Sequence, residues 1–266
     1  MPFDRELQAA LTAAEQASRI ILEHYEQRTA LADAPASITT STDRASQEAI
    51  LQALSAQFPD DAFRAEEATP TLERLRREGS RMWIIDPIDG TRGFAKKNGQ
   101  FSVMIALCVE GVPVVGVVQE PALGRITCAQ LGGGCWKSDG EQVRVTQTAD
   151  LTRCTLTQSH TKPGRGPTIA VQRLQPAHII ETYSAGIKLA QVARGEADIY
   201  ACEYDAMNDW DIAAGHILVT EAGGRVTTND DRPLKFGGED PLQIGGLLST
   251  NGVLHAAATR RLAESG

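Results

Sequence analysis

The chain has 266 residues, 42% of them hydrophobic and 23% charged, with a formal net charge of -8. That size and composition suit one large globular domain or two coupled ones. An acidic surface excludes a protein that wraps duplex nucleic acid, where phosphate neutralisation supplies most of the affinity, but leaves small phosphate substrates open because bound cations reverse the local field.

Apolar positions Leu7, Leu11, Ala14, Ala17, Ile21 and Tyr25 recur at helical spacing and predict a helix over 4–28, with Asp4 as its N-cap. A loop with Pro and Thr, 34–41, leads to a second helix over 42–58 that buries Ile50, Leu54 and Phe58. Met82-Trp83-Ile84-Ile85 reads as a buried strand that stops at Asp86-Pro87 and delivers acidic groups at its carboxyl end. Strands over 101–109 and 114–119 are joined by the turn Glu110-Gly111-Val112-Pro113, and a further strand over 126–130 runs into Leu131-Gly132-Gly133-Gly134. These elements describe helices packed on a largely antiparallel sheet.

Beyond this the pattern alternates. A strand over 155–158 and a polar loop over 161–167 precede a helix over 184–194 and a strand over 197–202. A helix over 209–222 stops at Gly223-Gly224. Strands over 225–228 and 243–249 and a helix capped near Asn251 follow. Such alternation predicts an α/β layer. The expected organisation is an α+β domain over 1–150 and an α/β domain over 151–266.

No apolar run approaches the ~20 residues that span a bilayer, and Met1-Pro2-Phe3-Asp4-Arg5-Glu6 does not open a secretory signal. No membrane association is expected. The five cysteines, Cys108, Cys128, Cys135, Cys154 and Cys202, form no CxxC or Cys/His pattern and read as reduced thiols of a cytoplasmic protein.

The chemistry centres on Asp86-Pro87-Ile88-Asp89-Gly90-Thr91. Two carboxylates lie three residues apart after an apolar strand. Pro87 stiffens the turn and Gly90 permits an unusual φ. Thr91 adds a hydroxyl at a helix or turn N-terminus, where backbone amides suit a phosphate. Hard oxygen ligands beside an anion seat are what metal-assisted phosphoryl transfer needs. Two other acidic segments bear on it. Ala65-Glu66-Glu67 also reads as a solvated charge run, and Asp209-Trp210-Asp211 also reads as helix capping, as does Thr42-Asp43.

Together with Trp210-Asp211-Ile212-Ala213-Ala214-Gly215 and Glu221-Ala222-Gly223-Gly224, the central string resembles the inositol monophosphatase superfamily, over residues 6–263. The resemblance implies a five-layered αβαβα fold, α+β and α/β in character, and a magnesium-dependent, lithium-sensitive phosphatase using two or three Mg²⁺ ions. It implies Glu66, Asp86, Asp89, Asp211 and the Ile88 carbonyl as metal ligands. Asp43 and Thr91 would orient the attacking water, and the Gly90 and Thr91 amides would hold phosphate. Ala65 stands where the family has glycine.

The stretch 93–107 and Gln158-Ser159-His160-Thr161-Lys162 look like the 3'(2'),5'-bisphosphate nucleotidase branch, as does Lys188 near a helix start. They imply adenosine 3',5'-bisphosphate as substrate, with Ser159, His160, Lys162 and Lys188 near it. Ser184-Ala185-Gly186 departs from that branch's Gly-Ser-Ser. Glu203 and Asp205 would repel a second phosphate and suit sugar or inositol hydroxyls, so an inositol or sugar phosphate is the alternative. A non-catalytic phosphate-binding protein on the same scaffold would have lost a ligand, and none is missing. Kinase-type transfer lacks a Gly-rich phosphate loop. The partner expected is a small phosphorylated substrate, with no nucleic-acid polymer, and a homodimer follows from the resemblance alone.

Overall fold

The computed structural model describes residues 2–35, 39–161, 164–203 and 207–264. The elements in order are α1 (Asp4–Gln27), α2 (Ser41–Gln57), β1 (Ala62–Ala65), α3 (Pro70–Arg74), β2 (Arg81–Asp89), α4 (Thr91–Ala95), β3 (Ser102–Val109), β4 (Val112–Glu120), β5 (Arg125–Gln130), β6 (Gly134–Lys137) and β7 (Gln142–Val143). They are followed by β8 (Thr155–Gln158), α5 (Ile169–Leu174), β9 (His178–Glu181), α6 (Ala185–Ala193), β10 (Ile199–Cys202), β11 (Met207–Asn208), α7 (Asp209–Glu221), β12 (Arg225–Thr227), β13 (Leu242–Gln243), β14 (Leu247–Thr250) and α8 (His255–Ala263).

Strands β1 to β7 form one sheet in sequence order, with β1 parallel to β2 and the remaining pairs antiparallel. The second sheet runs β12-β14-β10-β8-β9, with two parallel and two antiparallel pairings. Helices α1 and α2 cover one face of the first sheet, α6 and α7 lie between the sheets, and α5 and α8 close the far side. This is the αβαβα layering. Among the described residues, three apolar cores hold the layers: one under α1 and α2, one around α6 and α7 that reaches both sheets, and one under α5 and α8. Ala9, Ala10, Ala13, Ala14, Ala17 and Ile21 let α1 approach closely. Ile212, Ala213, Leu218 and Leu189 fill the middle, and Leu156, Ile199, Leu248 and Leu262 fill the last. No described helix is long and apolar enough to cross a membrane.

Local chemistry sets the boundaries. Asp4 falls in the first turn of α1, after Phe3 at the cap position. Its carboxylate accepts from Gln130 Nε2 at 2.7 Å, so the expected capping role is not filled. Thr40 caps α2 through a capping box in which Asp43 accepts from the Thr40 amide at 2.9 Å. β2 does not stop at Asp86. Its register against β3 shifts between Asp86 and Asp89, and this irregularity accommodates Pro87, which brings no N–H to the ladder. The strand expected over 243–249 is two pieces, because Gly245 and Gly246 take φ of 103° and 66°. The five cysteines are buried, and burial pushes the Cys108, Cys128, Cys135 and Cys154 thiols up, Cys128 and Cys154 to about 11 and Cys135 to about 12.

Candidate active site

The carboxyl end of β2 and the start of α7 meet at one point. Asp86, Asp89 and Asp211 each present a carboxylate oxygen within 4.8 Å of the others. Asp86 and Asp89 are 2% and 6% exposed. Glu66, just past β1, lies outside that trio but close enough to Asp86 and Asp211 for the charges to repel. β1 lies parallel to β2, so both strands deliver their carboxylates at the same edge. Asp211 occupies the third position of α7, where it accepts the Asn208 amide at 2.6 Å. It therefore caps the helix and faces the cluster at once.

Glu66 is exposed as a residue, but partial desolvation of its carboxyl, then repulsion from Asp211 and Glu67, raises its pKa. Burial and the nearby Asp89 push Asp211 up to about 7, and burial with its acidic neighbours holds Asp86 well above the usual carboxylate range. Two buried acids, with a half-buried Asp211 and an exposed Glu66 beside them, need compensating charge. Lys188, on α6, supplies one cation nearby. Its ammonium is pulled down to about 8 by burial, against the raising influence of Asp89. A set of hard oxygens with this excess of negative charge fits a divalent cation.

Gly90 follows with φ 83° and forms the N-cap of α4. A Cβ there would lie 2.8 Å from the Gln100 carbonyl and 3.1 Å from Ser184. Thr91 opens α4, and its Oγ1 lies 3.0 Å from Asp43 Oδ1 and 3.0 Å from the Ile88 carbonyl. Asp43 is fully buried, and burial raises its pKa although the Thr40 and Thr91 hydroxyls oppose the shift. Ser46 donates to the Pro87 carbonyl at 3.2 Å, which fixes the bulged turn to α2.

The remaining sequence-expected residues gather around α6. Ser159 and His160 line a cleft of about 420 Å³, with Thr168, Tyr200, Cys202 and Glu203. Lys188 is 1% exposed. Its Nζ donates to Ser159 Oγ at 2.9 Å and to the Thr182 carbonyl at 3.2 Å, and lies 5.0 Å from the Tyr200 ring centroid. Glu203 Oε1 is buried without a hydrogen-bond partner among the described residues, and burial raises this carboxyl. His160 stacks on Tyr183 at 4.3 Å, bonds Gln100 Oε1 at 2.6 Å, and is held below its ordinary pKa by burial. Lys162 and Asp205 lie outside the described residues.

Other residues at the site have roles that the sequence did not assign. Gln47 brackets Glu67, accepting its N–H at 2.9 Å and donating to its carbonyl at 2.6 Å, and so sets the path of the chain beside Glu66. Asp209 looked like part of the acidic segment. It is instead a buried anchor for Arg64, the Gly237 amide and Gln243. Ser102 and Ser184 both reach Asp89.

Comparison with known proteins points one way. The inositol monophosphatase family matches residues 4–266. A fructose-1,6-bisphosphatase/inositol-1-monophosphatase of Thermotoga maritima is 32% identical over 235 residues, covering 88% of this chain and 84% of its own. The 3'(2'),5'-bisphosphate nucleotidase CysQ of Salmonella typhimurium is 33% identical over 187 residues, covering 70% of this chain and 74% of its own. The inositol monophosphatase structure from Anabaena (Nostoc) sp. PCC 7120 superposes with a TM-score of 0.82 at 28% identity, covering 98% of this chain and 96% of that one. The relatives are of mixed specificity at similar identity, so they point to no single branch. On fold, sequence and acidic centre together, the chain belongs to the inositol monophosphatase family and is a phosphoric monoester hydrolase of that family.

Proposed function

We propose that this protein hydrolyses a small phosphate monoester with water as the nucleophile, and that Thr91 and Asp43 carry the proton. The observation that supports this most is the Thr91 hydroxyl, which sits 3.0 Å from Asp43 Oδ1 and lies two residues after Asp89 of the cluster. Glu66, Asp86, Asp89, Asp211 and the Ile88 carbonyl would hold Mg²⁺. When bound, the cations neutralise phosphate oxygens and make a water more acidic. The water proton passes to Thr91 Oγ1 as the Thr91 proton passes to Asp43 Oδ1. Asp43 is suited to receive it, because burial already raises its affinity for a proton. The amides of Gly90 and Thr91 orient the phosphate, water adds to phosphorus as the ester oxygen departs and takes a proton from solvent, and Asp43 returns its proton to solvent to close the cycle.

For the leaving group we favour a hydroxyl-rich one, an inositol or sugar. Among the described residues Glu203 Oε1 has no donor, and a substrate hydroxyl would supply one. Lys188 is already committed to Ser159, Thr182 and Tyr200. The second reading is adenosine 3',5'-bisphosphate, favoured by the Lys188–Ser159 pair beneath the cleft and by likeness to the nucleotidase segments. Hydrolysis of inositol 1-phosphate and adenosine 3',5'-bisphosphate with Mg²⁺ separates them. Higher kcat/KM on the inositol ester, lost in Glu203→Gln, is expected. Higher kcat/KM on the bisphosphate overturns the choice. Asp211→Asn should abolish turnover on both while the circular dichroism stays native. Activity near wild type would sink the metal assignment.

A further inference from the structure

Asp89 is gripped from the other sheet's helix layer. Its Oδ1 accepts the Ala185 amide at 3.0 Å. Its Oδ2 accepts the Gly186 amide at 2.6 Å and the Ser184 hydroxyl, with Ser102 Oγ at 3.2 Å. A carboxylate oxygen offers about two lone-pair directions. Oδ2 is filled by these donors, whereas Oδ1 keeps one direction free.

The hydroxyl protons can be counted. Ser184 Oγ accepts the Ile187 amide at 2.9 Å as the N-cap of α6, so its single proton goes to Asp89. Ser102 Oγ lies 2.9 Å from Ser184 Oγ, nearer than it lies to Asp89. Its proton goes to Ser184, which gives a relay from Ser102 to Ser184 to Asp89. Both serines are 0% exposed, so water does not compete for these bonds. The fit is tight: a Cβ at Gly186 would lie 2.7 Å from Ser102 Oγ and 2.8 Å from Met104 Sδ. The positive end of the nine-residue α6 faces this carboxylate.

We infer that Ser184, backed by Ser102, is a positioning residue that holds Asp89 so that Oδ1 alone faces a cation. This rests on the metal-site reading above. Groups that orient a ligand typically govern metal affinity by about 10–100-fold. The test is calorimetric titration of the full chain with Mn²⁺ in the absence of substrate, beside thermal unfolding. Ser184→Ala should weaken Mn²⁺ binding by about 10-fold or more, and Ser184→Thr, which keeps the hydroxyl, should restore it. Ser102→Ala leaves the α6 cap untouched and should weaken binding in the same direction by less. Unchanged Mn²⁺ affinity in both alanine variants, with only the melting temperature lowered, overturns the inference and reduces Ser184 to a helix cap. Absence of Mn²⁺ binding by the wild type would instead defeat the metal-site reading itself.

Discussion

Replacing Asp43 by asparagine isolates proton transfer from binding. Asp43 Oδ2 accepts from Thr40, and Oδ1 accepts from Thr91. Asparagine has one acceptor oxygen and one amide donor. Its oxygen turns toward the Thr40 amide and keeps the capping box. Its NH₂ then faces Thr91 Oγ1, and the Thr91 proton goes to the Ile88 carbonyl. Thr91 can accept a proton no longer, because it has nowhere to pass its own. Loss of a positioned base lowers turnover by roughly 10²–10⁴-fold, about 2.7–5.4 kcal/mol on the barrier. Asp43 is absent from the proposed cation ligands, so KM should stay near wild type. Stability should change by less than about 1 kcal/mol, since the cap survives. Steady-state phosphate release over a range of substrate concentrations, with a thermal melt on the same sample, reads all three quantities. A kcat within threefold of wild type, or a loss confined to KM, refutes the proton path.

Glu120 is fully buried and takes Arg125 at 2.6 and 2.8 Å and Arg194 at 2.9 Å, tying the end of α6 to the first sheet. Breaking a buried pair costs about 3–5 kcal/mol. Arg194 keeps Glu196 and Thr127, so Glu120→Gln should lose about 3 kcal/mol, or roughly 6–12 °C in Tm for a chain of this size. A Tm within 2 °C of wild type in calorimetry would contradict this. His216 packs against Phe236, and burial holds its imidazole down to about 4 from 6.5. The native state resists the proton that the unfolded chain takes up. Stability is therefore full above pH 6.5 and falls by up to roughly 3 kcal/mol as the pH drops to 4. Urea midpoints at pH 7.5 and 5 should diverge less in His216→Phe than in wild type; an equal divergence would show that other groups set the acid limb.

The parts of this protein written in local sequence were legible, and the parts written in contact were not. Met82–Ile85 ending in acids announced a buried strand that delivers carboxylates, and the glycines at 223 and 224 announced a helix stop. Asp211 was ambiguous because capping and the cluster ask for the same residue, and it does both. β1 and β9 passed unnoticed: each is four residues long, and their Arg64, His178 and Glu181 break the strand pattern. Ser102 and Ser184 entered only through the segments compared with the nucleotidase branch, and their role was hidden because it lies in a bond across 82 residues. Lys188 was visible as a cation near a helix start. Its burial was not, because that follows from α6 being sandwiched between two sheets.

The order β12-β14-β10-β8-β9 places the last strand in the chain at an interior position of its sheet. Leu247 and Leu248 are fully enclosed there, and β14 alone joins β12 to β10. On the ribosome, the first sheet can close while the second waits for residues 247–250 to emerge, seconds later at ordinary synthesis rates of about 5–20 residues per second. Until then β10 offers an open edge beside β8, and β12 has nothing to pair with. A chain cut short before residue 247 would therefore keep every proposed metal ligand and the β10-β8-β9 pairings, yet leave β12 unjoined and β10 with an open edge, a species for quality control rather than for catalysis.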